Sequence, residues 1–211
     1  DHHMVPDRHH VESWVADARA QGAATLRTGA LFPPATPAFL AAGFGVIDTL
    51  SLLEVDHLTV EADASAGNHD QRATRLRRLR PSQLDDAAIV DRHAFPAPWA
   101  NNAAALHDIV TATPRYRARC VHHDGQMVAF SISGRASTWG YVQRLAVVPS
   151  ARRRGLARLL VADALDWMRR RNVERVLVNT ATDNTAALAL YRSLGFMERP
   201  ERLTILERSL R

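Results

Sequence analysis

The spacing of apolar positions changes repeatedly along this chain, and each change marks an element. Tyr116 to His122 and Gln126 to Gly134 read as two strands around a turn at Asp124-Gly125. Trp139 to Val148 reads as a third strand of that series. From 155 to 171 the period becomes helical: Leu156, Leu159, Leu160, Ala164, Trp167 and Met168 share one face, with Asp163, Asp166 and Arg170 expected outside. Val176-Leu177-Val178 is the apolar run of a strand buried on both faces. Asp183 or Asn184 then starts a short helix that Gly195 closes in the left-handed region. Phe196 onward predicts two last strands turning near Pro200-Glu201.

Upstream of the hairpin, Thr74 to Leu79 alternates Arg and Leu like a strand, and Pro81-Ser82 opens a helix with Ser82 as N-cap, running to about Ala94. A proline-broken turn, Phe95-Pro96-Ala97-Pro98-Trp99, leads to a second helix ending near Thr113-Pro114. The polar stretch 57–71 reads as a linker, leaving 1–56 as a separate segment before a domain at 72–211. The order β-α-α-β-β-β-α-β-α-β-β predicts an α/β (α+β) domain: a mixed sheet with helices packed on it.

Composition narrows the class. With 211 residues the chain can bury a full core. No apolar run approaches the roughly 18 residues of a membrane span, and the polar, His-rich N-terminus does not resemble a secretory signal. A single cysteine, Cys120, excludes an internal disulfide framework and a Cys-based zinc site, so a cytoplasmic protein with no metal is expected. His2, His3, His9 and His10 read as a tag or flexible tail rather than metal ligands. The net charge of +5 comes from arginine alone, the chain having no lysine. Arginine attracts nucleic-acid phosphates, but interleaved aromatics and a recognisable binding module are lacking, so solvated arginine faces explain the charge.

Only the cluster Arg152-Arg153-Arg154-Gly155-Leu156-Ala157-Arg158 has a specific placement, between a strand and a helix start. There, unpaired backbone N–H groups and the positive end of the helix dipole suit a phosphate or pyrophosphate. Glycine at 155 lets such a group approach the backbone closely.

Three pieces in this order resemble the GNAT superfamily of acetyl-CoA-dependent N-acetyltransferases: Leu145-Ala146-Val147-x-Pro149 followed by Arg152-x-x-Gly155-x-Ala157, then Asn184-x-x-Ala187-Leu188-x-Leu190-Tyr191, then Leu194-Gly195-Phe196. Within it, His93-Ala94-Phe95-Pro96 leading to Trp99 resembles the first-helix exit of ribosomal-protein alanine N-acetyltransferases. The resemblance implies the GNAT acyl-CoA N-acyltransferase fold, with helices on both faces of the sheet. It implies acetyl-CoA as cosubstrate and a primary amine, on a small molecule or a peptide N-terminus, as acceptor.

It further implies that Arg153 to Arg158 cradle the coenzyme's pyrophosphate while Arg152 and its neighbours add charge at the rim. Leu145, Ala146 and Val147 would bond the pantetheine arm through free backbone groups where their strand splays from the next. Asn184 would bond the pantetheine amides, cap its helix, or both. Tyr191 is the expected general acid for the leaving thiolate, the alternative being a core tyrosine. Phe95 and Trp99 would form an apolar wall for the acceptor or belong to the core, with further contacts from the final hairpin near Pro200.

The expected base is missing. The alanine N-acetyltransferases that the chain resembles usually carry a glutamate where it has Asn179, and Tyr141, His93, His122 and His123 are the remaining candidate relays. At pH 7 an α-amine of pKa about 7.8 is roughly 14% neutral, against about 0.04% for a lysine amine. A site without a carboxylate therefore favours a low-pKa amine. The competing reading is a non-catalytic acyl-CoA-binding or regulatory protein, against which Tyr191 argues.

An internal echo lies in the first 56 residues. Phe39-Leu40-Ala41-Ala42-Gly43-Phe44 parallels Tyr191-Arg192-Ser193-Leu194-Gly195-Phe196, Thr25 to Thr28 parallels Leu177 to Thr180, and Trp14 parallels Trp167. Residues 8–56 thus read as the C-terminal half of a second, degenerate GNAT unit, as mycothiol synthase carries an inactive one. With Phe32 for Asn184 and Phe39 for Tyr191 it should be non-catalytic. It is expected either to cover a sheet edge or to mediate a homodimer.

Overall fold

Alternating apolar and polar residues, punctuated by turn chemistry, produce the elements of the chain. A computed structural model describes residues 5–56 and 75–211. In chain order these form α1 (Arg8–Ala20), β1 (Thr25–Arg27), α2 (Thr36–Ala41), β2 (Gly45–Asp56), β3 (Arg77–Arg78), α3 (Leu84–Ala94), α4 (Ala103–Thr111), β4 (Arg115–His123), β5 (Gln126–Ala136), β6 (Trp139–Val147), α5 (Leu156–Arg169), β7 (Arg175–Ala181), α6 (Thr185–Arg192) and β8 (Met197–Ser209). The expected linker 57–71, and Thr74 at the start of the expected strand, lie outside the described residues.

Two compact units result, and they do not follow chain order. One comprises the segment up to Leu53, Asn179–Leu188 and Glu198–Arg211; the other comprises Glu54–Val178 and Ala189–Met197. The first unit carries α1, α2 and the strand order β1-β8-β2. Strand β1 is antiparallel to the end of β8, with Thr25 opposite Ser209 and Arg27 opposite Glu207. Val11 and Val15 of α1 and Phe39 of α2 close over Phe44, Leu206 and Leu210. Arg208 ties the cluster by donating to Glu12 Oε2 at 3.2 Å and to the Ala42 carbonyl.

The second unit has the strand order β7-β6-β5-β4-β3. Strands β3 to β6 are successively antiparallel, whereas β6 and β7 run parallel, which makes the sheet mixed. The β4–β5 hairpin turns at Asp124 and Gly125, both with positive φ (49° and 80°), as a two-residue primed turn requires. Side chains alternate across β5. Phe130 and Ile132 pack with Leu84, Val90 and Leu106 of α3 and α4, while Ala129 packs with Leu156 and Leu160 of α5. Helices therefore cover both faces.

Several expectations change. The last two strands are one continuous strand, Met197–Ser209, without a turn at Pro200, so no final hairpin exists to contact an acceptor. The Arg/Leu alternation before Pro81 yields only Arg77–Arg78 as strand among the described residues. Ser82 makes no capping bond; a 3-10 turn, Pro81–Gln83, precedes α3, and the Gln83 amide oxygen accepts from Arg80 N–H at 3.1 Å. Asp163 does not face solvent. Arg117 grips it with two bonds of 2.6 and 2.8 Å, and Arg119 stands 3.4 Å away, so this carboxylate fastens α5 to β4.

Candidate functional site

The second unit assembles the strand, loop and tyrosine singled out in the sequence. Strand β6 pairs with β7 from Trp139–Arg175 to Val142–Val178, but continues to Val147 with β5 as its partner. The β5–β6 register shifts between Ile132 and Ser133, which skips Gln143 and makes it a bulge. Among the described residues of this unit no strand pairs with the other edge of Leu145, Ala146 and Val147. Leu145 and Val147 pack toward α5, and Ala146 toward α3, so their side chains anchor the strand while main-chain groups remain at its edge.

Beyond Val147 the chain makes a 3-10 turn over Pro149–Ala151 and then bends through Arg153 (φ 64°) and Gly155 (φ 75°, ψ 0°) into α5. Left-handed backbone at Gly155 aims the following N–H groups outward. The first helical bond runs from Leu159 N–H to Gly155 O, and no side chain caps this end. Leu156, Ala157 and Arg158 thus start α5 with N–H groups that have no acceptor among the described residues. Several convergent donors at a helix N-terminus fit a pyrophosphate.

The arginines divide into two kinds. Arg152 donates to the Val147 carbonyl at 3.3 Å and to the Ala94 carbonyl at 3.1 Å. Arg158 donates to Ser193 Oγ at 2.9 Å and to the Ser193 carbonyl at 3.4 Å. Both are spent on the protein, Arg158 tying the start of α5 to the end of the tyrosine-bearing helix. Arg153 and Arg154 are exposed and carry no ion pair or hydrogen bond among the described residues, which leaves them as charge at the rim.

Tyr191 is 4% exposed and meets Phe196 edge-on, ring centroids 5.6 Å apart. Burial pushes its phenol well above the usual range, so it stays protonated. Its hydroxyl has no hydrogen-bond partner among the described residues. Gly195 (φ 85°) turns the chain after α6 so that Phe196 N–H reaches Tyr191 O at 3.1 Å. Asn184 is exposed, and its side chain accepts from Ala187 N–H at 3.1 Å, the capping role.

Phe95 and Trp99 are half-buried. Phe95 lies against the core and beneath the Arg144 guanidinium, which sits 3.6 Å from its ring centroid. Of the candidate relays, His93 and His123 are exposed and Asn179 is exposed. His122 is half-buried, 4.0 Å from Cys120 Sγ. Half-buried Tyr141 has its phenol raised by desolvation, which makes it a poor proton acceptor at neutral pH. No group of three or more metal-ligating side chains occurs among the described residues.

One feature escaped the sequence reading. Asp91, fully buried at the end of α3, accepts two bonds of 2.7 Å from Arg144 of β6. The signal was present: each charge interrupts an otherwise apolar face, Asp91 after Ala87, Ala88 and Val90, and Arg144 between Val142 and Ala146.

Residues 86–196, more than half of the chain, match the Acetyltransferase (GNAT) family. Escherichia coli (strain K12) [ribosomal protein bS18]-alanine N-acetyltransferase is 30% identical over 120 residues, 57% of this chain and 78% of that protein. N-alpha-acetyltransferase 30 of Saccharomyces cerevisiae is 40% identical over 58 residues, 28% of this chain and 33% of that one. A tandem GNAT protein from the clavulanic acid biosynthesis pathway superposes with a TM-score of 0.66 at 16% identity, covering 93% of this chain and 67% of that one.

Proposed function

The chain belongs to the GNAT family and is an acetyl-CoA-dependent N-acetyltransferase, and from that premise we propose that its acceptor is the α-amine of a protein or peptide N-terminus. One observation carries the proposal: where the alanine N-acetyltransferases usually carry a glutamate this chain has Asn179, which cannot take a proton. An N-terminal amine loses its proton to water far more readily than a lysine does, so it needs a base least. Two relatives are named for the same chemistry, one for an alanine and one for α-amines.

In this reading the first-turn N–H groups of α5 and the side chains of Arg153 and Arg154 hold the coenzyme's phosphates. The edge of Leu145 to Val147 that no strand of the second unit pairs holds the pantetheine arm and polarises the thioester carbonyl. The neutral amine attacks that carbonyl, the C–S bond breaks, and Tyr191 gives its proton to the departing sulfur while the acceptor nitrogen releases one to water. Phe95 and Trp99 face the acceptor. The test offers an alanine-initiated peptide and the same peptide with a blocked N-terminus and an internal lysine, at pH 7 with acetyl-CoA. Acetylation of the free α-amine alone is expected; equal turnover of the lysine overturns the proposal.

We infer further that residues 8–56 are a degenerate half-repeat of the same fold. The order α1-β1-α2-β2 repeats α5-β7-α6-β8. Local geometry repeats with it. Gly43 (φ 80°) stands as Gly195 does, and Phe44 N–H reaches Phe39 O at 3.1 Å as Phe196 N–H reaches Tyr191 O. Phe39 and Phe44 meet edge-on at 5.3 Å. Phe39 has no hydroxyl to donate, so this half carries no acid.

A further inference from the structure

The Asp91–Arg144 pair does more than satisfy two buried charges. Asp91 Oδ1 also accepts from Asn101 N–H at 2.6 Å, and Arg144 Nη2 also donates to the Trp99 carbonyl at 2.8 Å. With its amide oxygen turned inward, Asn101 accepts from Arg144 Nε and Nη2, each at 3.1 Å. The guanidinium covers the Phe95 ring. One arginine therefore holds the beginning, middle and end of the loop between α3 and α4, from a position immediately before Leu145 on β6. The side chain of Arg152 adds a second tie from the phosphate loop to Ala94, where this loop starts.

Within this proline-rich loop Trp99 and Ala100 N–H reach the Pro96 carbonyl, and the prolines have no N–H to donate. Its conformation is fixed largely from outside. A planar guanidinium suits that task, since it can bind a carboxylate side-on, reach a carbonyl and stack on an aromatic face at once; an ammonium cannot. We propose that Arg144, held by Asp91, is a positioning residue that sets the acceptor wall (Phe95, Trp99) at a fixed distance from the thioester-binding edge of β6. It touches neither substrate in this assignment and acts through the loop. The inference rests on the reading of Phe95 and Trp99 as the acceptor wall.

The experiment measures acceptor KM, kcat, acetyl-CoA Kd by calorimetry and Tm with the alanine-initiated peptide. The principal variant is Asp91→Leu with Arg144→Met, an apolar pair that avoids leaving a buried charge unpaired. Arg144→Lys keeps the charge and serves if the double variant does not fold. The control is Arg117→Met with Asp163→Leu, which removes the bidentate β4–α5 pair remote from the loop. Acceptor KM is expected to rise at least tenfold in the principal variant and at least threefold in Arg144→Lys, with acetyl-CoA Kd changed less than threefold and the control KM unchanged. An unchanged acceptor KM in the folded variant overturns the inference, as does an equal rise in the control. Phe95→Ala and Trp99→Ala separate the two levels. If they leave KM unaltered, the acceptor-wall reading fails; if they raise it and the Arg144 variants do not, only the positioning role fails. Absence of turnover by the unaltered enzyme overturns both.

Discussion

Replacing Tyr191 by phenylalanine separates the two roles a buried tyrosine can have. The ring is packed, 4% exposed and edge-on to Phe196, and phenylalanine keeps all of that. The hydroxyl has no partner among the described residues. The hydroxyl oxygen is not one of the buried polar atoms left without a partner, so its removal neither breaks a protein bond nor relieves an unsatisfied buried group. Stability is therefore expected to stay within about 1 kcal/mol, equivalent to roughly 2–4 °C in Tm. A helix end of the same local geometry already holds phenylalanine, since Phe39 fills the turn against Phe44. Activity should fall instead. Loss of a positioned proton donor costs about 10²- to 10⁴-fold, or about 2.7–5.4 kcal/mol of barrier. The assay follows coenzyme A release with the alanine-initiated peptide, alongside calorimetric acetyl-CoA binding and thermal unfolding. A kcat within threefold of the unaltered enzyme would refute the acid role, and a Tm drop of more than about 5 °C would show that packing arguments about the ring are wrong.

Gly155→Ala places a Cβ on left-handed backbone, which costs about 1–2 kcal/mol; Tm should fall accordingly and acetyl-CoA Kd should rise at least tenfold, as calorimetry would report. Arg153→Gln with Arg154→Gln should weaken acetyl-CoA binding severalfold at low salt and flatten its salt dependence, while Tm stays within about 1 °C because neither side chain has a partner among the described residues. The Tyr191 phenol is raised in the fold, so its contribution to stability is fully present below the ordinary phenol range near pH 10 and is lost as pH rises above it. Alkaline denaturation curves should show that loss in the unaltered protein, and Tyr191→Phe should lessen it.

The backbone of the loop before α5 was the most legible stretch of the candidate site because its geometry is local. A glycine in the left-handed region and the unpaired N–H groups of the next turn lie within a few residues of one another, so spacing alone predicted that geometry. Tyr191 and Gly195 were legible for the same reason, as parts of one helix end. Arg152 and Arg158 were misjudged in emphasis. Their guanidiniums belong to Ala94, Val147 and Ser193, and a run of like charges in sequence does not show which of them is already engaged. The Asp91–Arg144 pair was missed because its members lie 53 residues apart.

The sequence by itself determined most of the elements, their order up to the last strand, and the family. Hydrophobic period, turn residues and helix termini act over a few residues and need no partner. It did not determine that Met197–Ser209 would run straight through Pro200 as one strand, nor that this strand would lie between β1 and β2 in the unit built around the first 53 residues. Those were decided by tertiary structure. A strand's length and neighbours depend on which edges are available to accept its hydrogen bonds, and a buried charge finds its counter-charge only when the chain has folded back on itself.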